Sequence, residues 1–186
     1  MATIVRTGYG QLELNRVAFR RDGRVEAQVP YDVTTEGTVY ENGMVLIIDK
    51  AEGKVKKGAI AEGDLYGIVY TSEELYDSRK PGLKNFGVVV TDGEAKGPEG
   101  YDVLPRLGFL SVGDVFTTNT VVKTDNFTKG VKAYVGTTGE WTVTAPVAQV
   151  AEGEEAAAPA GPIAEVADVY TMPDGQAAVK LVIVKA

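Results

Sequence analysis

Apolar residues in this chain recur in short runs, alternating with polar ones or grouped without a break, and rarely show the three-to-four spacing of a helix. Residues 44–49 (MVLIID), 65–71 (LYGIVYT), 86–92 (FGVVVTD), 114–122 (DVFTTNTVV), 131–136 (VKAYVG), 140–145 (EWTVTA), 164–171 (AEVADVYT) and 177–185 (AAVKLVIVK) are rich in Val, Ile, Thr and aromatics. Most are bounded by Gly, Asp or Pro, which predicts strands. The last run is apolar at both parities toward its end, as expected of a buried closing strand.

Turn chemistry supports the same reading. Gly136-Thr137-Thr138-Gly139 predicts a hairpin loop, and so does Pro173-Asp174-Gly175 before the last strand. The best helix signal is TSEELYDSRKPG, where Thr71 and Glu74 have capping-box spacing and Pro81-Gly82 ends the pattern. It allows two turns at most. Residues 93–100 (GEAKGPEG) read as a polar Gly/Pro loop, and 150–162 (VAEGEEAAAPAGP) as a flexible acidic loop.

An internal echo organises the chain. VYENGMVLIID (39–49) precedes GAIAEGDLYGIVYT (58–71), and FLSVGDVFTTN (109–119) precedes GPIAEVADVYT (161–171). The expected fold is therefore mainly β, with two small β-barrel or β-sandwich modules related by duplication. The expected boundaries are an N-terminal arm or docking segment at 1–38, a first module at 39–104 and a second at 105–186.

Charge adds a candidate contact region. The net charge is −7, which disfavours nucleic acid as the main partner. Residues 1–30 nevertheless hold Arg6, Arg16, Arg20, Arg21 and Arg24 against Glu13, Asp22 and Glu26, or +2, leaving −9 for the rest. These five arginines are the candidate contact residues for an acidic surface. The start of the chain has no apolar signal-peptide core, and no run is long enough for a membrane span.

Chemistry is scarce. Cys and His are both absent, which excludes disulfides, thiolate nucleophiles, Cys/His metal sites and His-based triads. The adjacent carboxylates Glu73-Glu74 and Glu154-Glu155 read as solvated charge. Ser78 and Lys80 have the wrong spacing for a dyad on a helix, and the Gly8-Tyr9-Gly10 stretch lacks the rest of a dinucleotide motif. Asp92, Asp102, Asp114, Asp125 and Asp174 lie near turns without a calcium-loop pattern, so they read as caps for backbone amides. The expected protein is not an enzyme and uses no cofactor or metal. GDVFTTNTV reads as a wall strand with one packed and one wet face. Trp141, beside a hairpin loop, is the candidate interface aromatic, with a core position as its alternative. The sequon at 126–128 carries no weight without an export signal.

NGMVLIIDKAEGKVKKGA…LYGIVYT and LSVGDVFTTNTV…KGVKAYVGTTGEWTV…PIAEVADVYTMPDGQAAVKLVIVK resemble the β-barrel phrases of tailed-bacteriophage auxiliary capsid proteins, the head decoration or cement proteins, in the style of the lambda head decoration protein. The resemblance covers 39–71 and 109–185. It implies a structural virion protein, made in the host cytoplasm, that binds the major capsid protein on the capsid exterior and stabilises the shell. It also implies a homo-oligomer, a trimer first, with an N-terminal segment in capsid contact. This chain is longer than that pattern and reads as two-barrelled. The alternatives are a tail-tube, connector or fibre-base protein, or a carbohydrate- or peptide-binding β module built around Trp141 and the tyrosines.

Overall fold

The computed structural model describes residues 2–4, 8–70, 87–97, 100, 102–123, 125–146, 159–172 and 175–186. Within them the order is β1 (Ala2–Thr3), β2 (Leu12–Arg16), α1 (Ala18–Asp22), β3 (Val25–Glu26), β4 (Val39–Tyr40), β5 (Val45–Asp49), β6 (Lys54–Lys56), β7 (Tyr66–Val69) and β8 (Val88–Thr91). Then come β9 (Glu94–Lys96), β10 (Leu107–Gly108), β11 (Val115–Thr118), β12 (Asn126–Phe127), β13 (Lys132–Val135), β14 (Trp141–Thr142), β15 (Ile163–Thr171) and β16 (Ala177–Lys185). The protein is mainly β, and every run expected as a strand contains one except where it meets undescribed residues. The helix expected at 71–82 lies outside the described residues, as does 150–158 of the acidic loop.

Two larger sheets dominate. One is six-stranded in the order β14-β13-β15-β16-β11-β2, and the other five-stranded in the order β3-β10-β7-β5-β6. All pairings within them are antiparallel. The six-stranded sheet curls toward closure. Beyond β11 the chain meets β14 side by side, where the Trp141 amide donates to the Thr120 carbonyl (3.1 Å) and the Val122 amide to the Trp141 carbonyl (2.8 Å). That contact gives the sheet its barrel-like form and covers the β14 edge.

The burial pattern explains the unbroken apolar run at 44–49. In β5, Val45 faces the core formed by Phe116, Trp141, Leu181 and Ile183, whereas Leu46 and Ile48 face a second core with Tyr40, Val55, Val88 and Leu107. β7 divides likewise, Ile68 toward the first core and Val69 toward the second. A sheet with a core on each side needs apolar residues at both parities.

Several expectations are corrected. From Leu12 onward, the segment expected as an arm is built into the body. β2 pairs with β11, and β3 with β10. Phe19, which is fully buried, lies against Gly108, where any Cβ would run into its ring. β10 falls beyond the expected boundary at residue 105 but belongs to the five-stranded sheet with β7 and β3, because its amides find their partners there. The polar stretch 93–100 is not all loop: Glu94–Lys96 is β9, turned back on β8 through Asp92 and Gly93 at positive φ. The end of the 150–162 stretch is docked. The Lys185 ammonium donates to the Pro159 carbonyl (2.5 Å), and Pro162 is buried.

The stretch Thr117–Thr120 also departs from expectation, since both of its faces are buried. On one side the Thr118 hydroxyl donates to the Gln11 carbonyl (2.6 Å) and the Thr120 hydroxyl to the Asn42 carbonyl (2.5 Å). On the other, the Thr117 hydroxyl bonds Asn15 (2.9 Å) and the Tyr170 hydroxyl (2.8 Å), which also reaches Glu13 (2.9 Å). The hydroxyls expected to meet water instead fasten the N-terminal segment. Each buried polar group obtains a partner that water would otherwise supply.

Candidate functional site

The candidate site is built around α1, a single turn whose sequence does not cap itself. Val17 precedes it in an extended conformation and offers no side-chain bond. The cap comes from the turn before β11. Asp114, 3% exposed, accepts the Ala18 amide at 2.6 Å through one oxygen and the Ser111 amide at 2.8 Å through the other. A carboxylate satisfying two amides ties the helix to the 111–114 turn. The helix ends at Gly23, in the left-handed region at φ 69°, with the Arg24 amide returning to the Phe19 carbonyl (3.0 Å).

With Phe19 turned inward, 5.2 Å from the Tyr70 ring, the arginines face out. Arg16, Arg20, Arg21 and Arg24 are all exposed. Two of them bracket one short loop: Arg16 donates to the Gly113 carbonyl (3.3 Å) and Arg24 to the Ser111 hydroxyl (2.8 Å). Between these anchor points Val112 is 68% exposed, the most exposed large apolar residue described. The Gly113 amide bonds the Ile183 carbonyl (2.8 Å), and the next residue, Val184, is also exposed.

The arginines are not equivalent. Arg21 makes a two-pronged ion pair with Asp22 (2.7 and 3.2 Å), and that hydrogen bond pushes the Asp22 carboxyl below its usual range and Arg21 above its own. Its charge is largely spent within the chain. Arg20 instead acts with Arg106 near Tyr70. Burial pushes the Tyr70 hydroxyl up, and the two guanidiniums oppose that rise. Arg106 escapes a sequence reading because its membership depends on β10 pairing with β3.

Of the five arginines singled out from the sequence, Arg16, Arg20, Arg21 and Arg24 lie together on and around α1, whereas Arg6 lies outside the described residues. Trp141 is not part of any surface. It is fully buried, its ring 5.6 Å from Phe116, and its indole N–H donates to the Gly43 carbonyl (3.2 Å). A ring of that size beside a hairpin is drawn inward because the curled sheet needs its volume.

Two of the described turn aspartates act as caps. Asp114 does so as above, and Asp125 accepts the Val143 amide (2.7 Å) and the Thr142 hydroxyl (2.5 Å). Asp102 instead pairs with Lys96 at 2.7 Å. Among the described residues no group of three acidic side chains is placed to hold a metal ion. The α1 face thus offers guanidinium donors around an apolar tip, and guanidinium groups are donors whose geometry matches carboxylates. Comparison of the chain with protein-family models, curated proteins and solved structures returns no match.

Proposed function

We propose that the protein is a structural, non-enzymatic virion component that binds the outside of a tailed-phage capsid and stabilises it through the α1 face. The observation that carries this reading is the exposed tip Val112 held between Arg16 and Arg24 on a chain of net charge −7. Arginine around a desolvated apolar centre is the composition of an interface hot spot. The resemblance to decoration proteins supplies the partner, the major capsid protein, and a homotrimer as the assembly. Modest contacts repeated over a shell add through multivalency. The burial of Trp141 takes one of the aromatics, beside the tyrosines, away from the alternative of a carbohydrate- or peptide-binding module.

The test is co-sedimentation with capsids lacking the protein. Removing residues 1–30 is the wrong comparison, since it takes β2 and β3 out of the two main sheets. The useful variants are Arg16→Glu with Arg24→Glu, and Val112→Asp, all at exposed positions. Saturable binding at a fixed ratio to the major capsid protein is expected, weakened at least about tenfold by either variant. Wild-type protein that binds no capsid form would overturn the reading.

A further inference from the structure

Three elements converge where β7 ends beside the α1 face. The Tyr70 amide donates to the Arg106 carbonyl (2.9 Å), which carries the β7–β10 ladder one residue past the Leu107–Val69 pair. Tyr70 and Arg106 therefore stand opposite each other on one face of the sheet. The Phe19 ring, tilted by 42° against the Tyr70 ring, packs on the phenol from the α1 side, and Arg20 is the next residue along α1. The phenol is half-buried, while both arginines are exposed. Arg106 acts on the Tyr70 hydroxyl through a side-chain hydrogen bond and its charge, and Arg20 through its charge.

These two arginines differ from their neighbours. Arg21 is paired with Asp22, Arg16 rests on the Gly113 carbonyl and Arg24 on the Ser111 hydroxyl. Among the described residues neither Arg20 nor Arg106 forms an ion pair, and no carboxylate acts on the hydroxyl they share. The wider face is also positive with every carboxylate counted as charged. Arg16, Arg20, Arg21, Arg24 and Arg106 outnumber Asp22, Glu26 and Asp114 by two.

We propose that Arg20, Arg106 and the Tyr70 hydroxyl form a carboxylate site, which takes an aspartate or glutamate side chain of the protein that meets the α1 face. The inference rests on the reading that this face is a protein contact, and it adds the group recognised there. A planar carboxylate offers two acceptor oxygens, which suit two guanidinium forks and one hydroxyl donor. A nucleic acid would bring its phosphates against a chain of net charge −7.

The full-length protein, labelled so that arginine Nε–H signals are resolved by NMR, is titrated with N-acetylglutamate N-methylamide. The matching glutamine compound and inorganic phosphate serve as the other probes. Saturable shifts are expected at Arg20 and Arg106 with the glutamate compound, and none with the glutamine compound. Arg20→Lys and, separately, Arg106→Lys keep the charge but lose the fork, and each should weaken binding at least about fivefold. Arg21→Lys should leave it unchanged. All three positions are exposed, so an unchanged amide spectrum away from the substitution establishes that each variant folds. Equal response to the glutamine compound, shifts spread evenly over Arg16, Arg21 and Arg24, tighter binding of phosphate, or full retention in the Lys variants would each overturn the proposal. Absence of capsid binding overturns the earlier reading alone, because the probes act on the isolated protein.

Discussion

A single carboxylate decides the geometry of the α1 face. Asp114 is nearly inaccessible to water, and its two oxygens serve amides from segments 96 and 3 positions away. Without it, the first amide of α1 and that of Ser111 lose their partners in a buried setting, and Arg16 and Arg24 lose the fixed loop on which they rest. Asp114→Ala is expected to cost about 2 to 3 kcal/mol, read as a lower urea midpoint with an unchanged slope. Asp114→Asn retains one acceptor and should cost about half as much. An Ala variant as stable as the wild type would show that the turn caps α1 by other means. Gly108 is constrained just as tightly, since the Phe19 ring occupies the space of any Cβ there.

Element by element, what the sequence reveals follows strand length. The nine-residue strands β15 and β16 and the apolar β5 are readable because their periodicity or continuous burial extends over enough positions. Strands of two residues, such as β3, β10 and β14, carry no period and exist only because a distant partner supplies hydrogen bonds. The candidate face divides for the same reason: the arginines of 16–24 are neighbours in sequence, whereas Arg106 joins them through tertiary pairing. One local packing unit gives a pH prediction. The segment at 30–32 covers the outer edge of β6, with the Val55 amide on the Pro30 carbonyl (2.8 Å) and the Asp32 amide on the Val55 carbonyl (2.7 Å). It is clamped by Tyr31 stacked on Tyr40, ring centres 4.4 Å apart. Burial raises the Tyr40 hydroxyl from its ordinary value near 10 to about 12, and raises Tyr31 in the same direction. A folded value above the unfolded one means stability that is fully present below pH 10 and lost as pH rises through about 12. Urea midpoints should fall across that window, and Tyr40→Phe should reduce the fall while lowering stability at neutral pH through the lost bond to the Asp32 carbonyl (2.8 Å). An identical alkaline decline in the variant would remove Tyr40 from the explanation.

At the scale of the molecule, the question is whether two halves stand alone. The repeated Gly-led strand phrases suggest two autonomous modules meeting near residue 105, and a duplication of that kind would leave each half with its own core. The packing points the other way. The core around Phe116 and Trp141 includes Phe19, Val45 and Ile68, all from the first half of the chain. In return, the five-stranded sheet obtains β10 from beyond residue 105, and Gly43 provides the acceptor for the Trp141 indole. Cutting at that point would leave β3 and β7 without the strand between them, and would expose the inward face of Phe116. Fragments 1–104 and 105–186, expressed separately, are therefore expected to lack cooperative unfolding and dispersed amide spectra, because each has lost part of the core that should offset its chain entropy. Mixing them should restore dispersion if the interface alone is missing. Either fragment folding cooperatively by itself would show that the shared core joins two finished modules.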